Sequence, residues 1–208
     1  MPQQRRAQAT RRAIVIAAAE EFDRVGYDAT PLSAILRRSG VTKGAFYFHF
    51  ASKESLAAAL IQLQNRRWPT LRQRWLGRGL DPLSVAIGMV DEATRLIEED
   101  VVLRAGTSLA RHRIADEVVE RRSGVDWETL LADLLRRSAE RGLLRSGVEP
   151  AEVARVVHAA MIGARTLGSE RRGGPGAAAR TSEVWRVTLR GVASAEWLSS
   201  HQLPGAVR

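Results

Sequence analysis

The residues best suited to chemistry lie between Gly40 and Lys53, in the run G-V-T-K-G-A-F-Y-F-H-F-A-S-K. Thr42 supplies a hydroxyl, Lys43 an ammonium, Tyr47 a phenol and His49 an imidazole, all able to donate hydrogen bonds to a nucleic acid. Lys43, at the tip of a short helix, can reach guanine O6 or N7 in a major groove. Tyr47 and His49 are placed to donate to phosphates, and Lys53 is a candidate backbone contact. Gly44 and Ala45 leave room for close approach to base edges. Thr42 and the free N–H groups at the helix start also favour a phosphate. Four of the eleven aromatic residues fall between Phe46 and Phe50. Helical spacing places Phe46 and Phe50 on one face, as anchors. Lys43 and Tyr47 then lie about 100° round from them and face outward.

Short helices must hold these groups. Thr30-Pro31 reads as the start of one, with Thr30 as N-cap, and Gly40 as its end. Ser39 to Thr42 forms the turn, Thr42 caps the next helix, and the pair has helix-turn-helix geometry. Before them a helix from about Gln8 to Arg24 carries Ile14, Ala17, Ala18 and Phe22 on one face and ends at Gly26. After them Ser52 caps a long helix that runs toward Arg67, with continuation past Pro69 to Trp75 as the longer reading. The rest reads as a helical bundle. Helices are expected from Asp81-Pro82 to Glu98, from Val101 to Arg113, from Asp126 to Arg141-Gly142, and from Glu149-Pro150 to Thr166. A loop spans Gly168 to Ala178, and a last helix starts at Thr181 and reaches Ser199. No stretch alternates with a period of two, so the expected fold class is all-α. The expected domains are a helix-turn-helix domain over residues 1–52 and a bundle over 53–208, joined rigidly at Ser52.

Composition narrows the function classes. The chain has 208 residues and a formal charge of +9, with thirty arginines and only two lysines, Lys43 and Lys53. The arginine excess fits a GC-rich genome. Residues 1–53 hold nine basic and four acidic side chains, so a quarter of the chain carries more than half of the net charge. That asymmetry suggests a polyanion partner, although a solvated arginine-rich surface would look the same. The arginines near the start (Arg5, Arg6, Arg11, Arg12) are either a minor-groove arm or merely solvated. Cysteine is absent, which excludes disulfides and thiolate chemistry. Uncharged stretches reach only eleven residues, too short for a membrane span, and no secretion signal is evident. A soluble, cytoplasmic protein is expected.

No H-E-x-x-H, G-x-S-x-G or phosphate-binding G-x-x-x-x-G-K motif occurs, and His49, His112, His158 and His201 lack metal-site spacing. The expectation is therefore no enzyme, no metal and no cofactor. A nonspecific architectural DNA binder remains as another class, but it would not need a second bundle.

The segment from Ile14 to Lys53, above all G-V-T-K-G-A-F-Y-F-H-F followed by S-K-E, resembles the DNA-binding domain of the TetR family of repressors. The resemblance implies three N-terminal helices for DNA and a C-terminal bundle for ligand binding and dimerisation. Leu36 departs from the smaller residue usual in the family. The Y-F-H-F ending, V-L-R-A-G from Val102 to Gly106 and a tryptophan at Trp127 are similar to the γ-butyrolactone receptors, which read lactone, butenolide or furan signals. That likeness implies a pocket lined by Trp127, with Gln64 reaching the polar end of the ligand. Met89, Leu109 and Met161, on apolar helix faces, are further candidates.

Two apolar stripes, Val153/Val157/Ala160 and Trp185/Leu189/Val192, mark the last two helices. In the family such helices form a four-helix dimer interface; burial within one subunit is the other reading. A homodimer reading a palindromic operator is expected, because one recognition helix covers too few base pairs. The implied mechanism has ligand binding move the fourth helix, change the separation of the recognition helices and release the DNA. An antibiotic or other apolar molecule remains an alternative to a hormone-like signal.

Overall fold

The computed structural model describes residues 2–111, 126–170 and 174–204, and these form ten α-helices. The all-α expectation holds. Among the described residues the only β-type pairing is one antiparallel bridge between Leu144 and Ala193. The helices are α1 (Pro2–Val25), α2 (Leu32–Ser39), α3 (Lys43–His49), α4 (Lys53–Leu76), α5 (Pro82–Glu99), α6 (Val101–Arg111), α7 (Trp127–Glu140), α8 (Pro150–Glu170), α9 (Ala177–Val192) and α10 (Ala195–Ser200). The expected end of α6 at Arg113, as well as His112, lies outside the described residues, as does part of the expected loop at 171–173. No helix among those described is long and apolar enough to cross a membrane.

Packing divides the chain into two compact units. The first contains α1 to α3, α4 as far as Trp68, and α6; the second contains the rest of α4, most of α5, and α7 to α10. In the first unit, Ile14, Ala18 and Phe22 of α1 meet Ile35 of α2, Phe46 and Phe50, Leu56 and Leu60 of α4, and Leu109 of α6 in one core. Leu36 packs against the edge of that core. α6 approaches α4 closely because Gly106 has no side chain. A Cβ there would stand 2.6 Å from the Leu60 carbonyl oxygen and 2.9 Å from Gln64 Cβ.

Most helix signals act as read. Thr42 accepts from the Ala45 N–H at 3.2 Å, Ser52 from Ser55 N–H at 3.2 Å, and Asp126 from Thr129 N–H at 3.2 Å. Gly40 ends α2 in the left-handed region at φ 67°, where a side chain would be strained. One expected cap and one expected helix start are corrected. Thr30 is wholly buried, and its hydroxyl donates back to Gly26 O at 2.6 Å instead of accepting from α2. Thr181 lies inside α9, donating to Ala177 O at 2.8 Å, so α9 starts four residues earlier than expected. The expected last helix also breaks near Ala193. There Arg145 N–H donates to Val192 O and Ser194 N–H to Leu143 O, both at 2.9 Å, and Ser194 caps α10 instead.

In the second unit α8 packs against both α7 and α9. Of the apolar stripes, Val153, Val157, Trp185 and Leu189 are buried within one chain, while Ala160 and Val192 are half-buried. The large apolar side chains left exposed on these helices, among the described residues, are Val156, Leu167 and Val187.

A carboxylate clamp holds α2 to α1. Buried Glu21 accepts from Arg24 Nη2 and Arg38 Nε, each at 2.6 Å, while Arg38 Nη1 reaches Glu20 at 3.1 Å. Hydrogen bonds from Arg24, then Arg38, hold the Glu21 carboxyl below its ordinary value of 4.5. A depressed folded value means stability that is present above pH 4.5 and is lost as the pH falls below it. Glu21→Gln is expected to lower the thermal midpoint at neutral pH and to flatten its decline below pH 4.5. A variant whose midpoint falls as steeply with acid as the native protein would contradict this role.

Candidate nucleic-acid interface

The seven residues of α3 are too few to form a stable helix alone, so its orientation is imposed by the side chains it buries. Phe46 is fully buried and Phe50 nearly so, with ring centroids 5.9 Å apart in the first unit's core. This fixes the opposite side outward. Thr42, Lys43, Gly44, Tyr47 and Phe48 are exposed, while Ala45 and His49 are half-buried. The Tyr47 ring stands edge-on to Phe46 at 5.3 Å, which supports it from behind and leaves it 48% exposed. Open space lies where a side chain on Gly44 would stand. The expected outward set is thus brought onto one surface, apart from Lys53.

Lys53 faces inward. Its ammonium donates to the carbonyls of Tyr27 and Thr30, at 3.0 and 3.1 Å, and lies 4.2 Å from the Tyr27 ring centroid. Tyr27 in turn donates to Glu54 at 2.9 Å. Burial, then the Glu54 hydrogen bond, pushes the Tyr27 phenol above its usual range. The Glu54 carboxyl is held low by the backbone at the start of α4, then by Ser52 and Tyr27. Lys53 therefore ties the start of α4 to the connection between α1 and α2. Spacing alone hid this, because both carbonyls lie more than twenty residues away.

Arg5, Arg6, Arg11 and Arg12 lie within α1, which begins at Pro2 among the described residues, so they are helical rather than extended. Arg11 places its guanidinium 5.0 Å above the Phe50 ring. Phe48, left out of the outward set by the sequence reading, is 79% exposed. The helical wheel could have found it, because it falls four residues after Gly44 and on the same face.

The ligand candidates are distributed between the units. Gln64 is buried on α4 in the first unit, and its Oε1 has no hydrogen-bond partner. Leu109 belongs to the first unit's hydrophobic core, which gives it a packing role. Met89 on α5 and Met161 on α8 are buried in the second unit, where Trp127 opens α7 half-buried.

Comparison with known proteins bears on this arrangement. Residues 14–60 match the family described as bacterial regulatory proteins, tetR family. The A-factor receptor protein of Streptomyces griseus is 32% identical over 193 residues, spanning 93% of this chain and 67% of that protein. A crystal structure of a γ-butyrolactone receptor, described as ArpA-like, superposes with a TM-score of 0.80 at 31% identity, covering 94% of each chain. The TetR family protein CprB of Streptomyces coelicolor, in complex with its biological operator sequence, gives 0.79 at 33% identity, again over 94% of each.

Two substitutions separate the lysines. Lys43→Ala is expected to relax sequence preference at particular base pairs by about 1–3 kcal/mol. Equal weakening on every duplex would contradict base reading. Lys53→Met is expected to lower thermal stability yet keep the slope of log affinity against log salt. A phosphate contact would reduce that slope by about 0.9.

Proposed function

Since the chain belongs to the TetR family of bacterial regulatory proteins, related to the A-factor and γ-butyrolactone receptors, we propose that it is a ligand-responsive repressor. It binds a palindromic operator as a homodimer and is released by a small diffusible signal such as a γ-butyrolactone, butenolide or furan. It is a regulator and not an enzyme, as its relatives are. The observation that carries the reading is the outward surface of α3, with Thr42, Lys43, Gly44 and Tyr47 exposed above two buried phenylalanines.

Thr42 and Tyr47 meet the backbone, with His49 beside them, and Lys43 reads a guanine while Gly44 and Ala45 allow the approach. Lys53 positions α4 rather than touching phosphate. Residues 1–52 act as the DNA-binding domain and 53–208 as the ligand-binding and dimerisation domain. Dimerisation uses α8 and α9, supported by the exposed Val156, Leu167 and Val187. Trp127, Met89 and Met161 are the ligand contacts in the second unit, and Gln64, whose buried Oε1 has no partner, is a polar contact residue in the first. Ligand binding moves α4, which supplies residues to both units, and the recognition helices lose their spacing. Such a protein works in the cytoplasm, on chromosomal DNA.

A gel-shift assay on DNA flanking the protein's own gene, repeated with lactones, butenolides, furans and antibiotics, tests the reading. Retardation relieved by one of the first three classes is expected; relief by an antibiotic alone would replace the signal class. Trp127→Ala should still retard the DNA but need at least about tenfold more ligand for release, given the size of an aromatic truncation. Normal release in that variant would remove Trp127 from the ligand site.

A further inference from the structure

Phe48 is the most exposed large apolar side chain among the described residues. Nothing in the first unit covers it. Its ring stands T-shaped against the neighbouring His49 ring, at 5.1 Å and 83°, a contact that leaves it 79% exposed. It shares a face with Gly44, whose bare backbone leaves open space around it, on a helix that also exposes Lys43 and Tyr47. A phenyl ring has no donor or acceptor, so it cannot hold a phosphate. Its apolar surface is left in water on a helix whose other exposed side chains are polar.

We propose that Phe48 is a specificity-determining residue that packs on the 5-methyl group of a thymine in each operator half-site. The inference rests on the reading that α3 enters the major groove. On base edges in that groove, thymine's methyl is the apolar group, the rest being hydrogen-bond donors and acceptors. Lys43 and Phe48 are five residues apart, about 7.5 Å along the helix axis, so the thymine is a different base pair from the guanine read by Lys43.

The test uses the full-length protein and duplexes enriched by it from a random-sequence pool. Each thymine is replaced by deoxyuridine, one position at a time in both half-sites. One thymine per half-site is expected to matter, with methyl loss weakening binding about threefold to fivefold for each half-site. Phe48→Ala should bind the thymine and uracil forms of that position equally, while Phe48→Leu keeps part of the difference. An unchanged thermal midpoint in both variants shows that the fold is intact, as expected for an exposed position. The proposal is overturned if every uracil substitution is neutral, or if the penalty survives in Phe48→Ala. A loss of affinity in Phe48→Ala with no methyl-dependent position would likewise overturn it, leaving Phe48 an apolar contact to a deoxyribose. Failure to enrich any sequence would instead sink the repressor reading itself, and this inference with it.

Discussion

The seating of Phe46 and Phe50 in the first unit's core is the constraint on which the recognition surface depends. Burying each ring contributes about 1.5–3 kcal/mol, whereas a helix of two turns has almost no stability of its own. α3 therefore exists because it is anchored, and the anchors decide its rotation. Turning it by one residue would bring Tyr47 inward and expose Phe46, so the outward set is specified as firmly as the core. The same packing supports the Tyr47 ring from behind. Stability and recognition are two sides of one short helix.

Around that anchor, polar clamps fix what apolar contact leaves free. Hydrophobic packing is not directional, so it can hold α1, α2 and α4 together without setting their angles. Glu21 joins α1 to Arg38 on α2, and Lys53 joins the start of α4 to two carbonyls before α2. Both put a charge on groups that cannot easily change partner. A movement of α4 would thus be felt at the connection between α1 and α2, the part of the first unit that leads into the helix-turn-helix.

Local signals were legible where they act within a few residues. The caps at Thr42, Ser52 and Asp126, the left-handed Gly40 and the outward placement of Lys43 and Tyr47 all follow from chemistry spanning one turn. What stayed hidden was set by distant partners. Thr30 and Thr181 have side chains suited to capping, but each turns back to a carbonyl of the preceding turn. The break at Ala193 depends on residues 143–145, which no periodicity in the last helix could announce. Likewise a stripe such as Trp185/Leu189 tells that a face is covered, not whether the cover is the same chain or a second copy. For Lys53 the type and position were visible in the sequence, but the Tyr27 and Thr30 carbonyls it meets were not.

The central claim, that the outward face of α3 reads a major groove in two symmetric places, is tested most directly by methylation protection on the bound duplex. Dimethyl sulfate marks guanine N7 in the major groove and adenine N3 in the minor groove. The account predicts guanine protection in two clusters related by a dyad, about one helical turn or a multiple of it apart, with one guanine per cluster becoming reactive again when Lys43 is replaced by alanine. Protection confined to adenine N3, or guanine protection without symmetry, would contradict it.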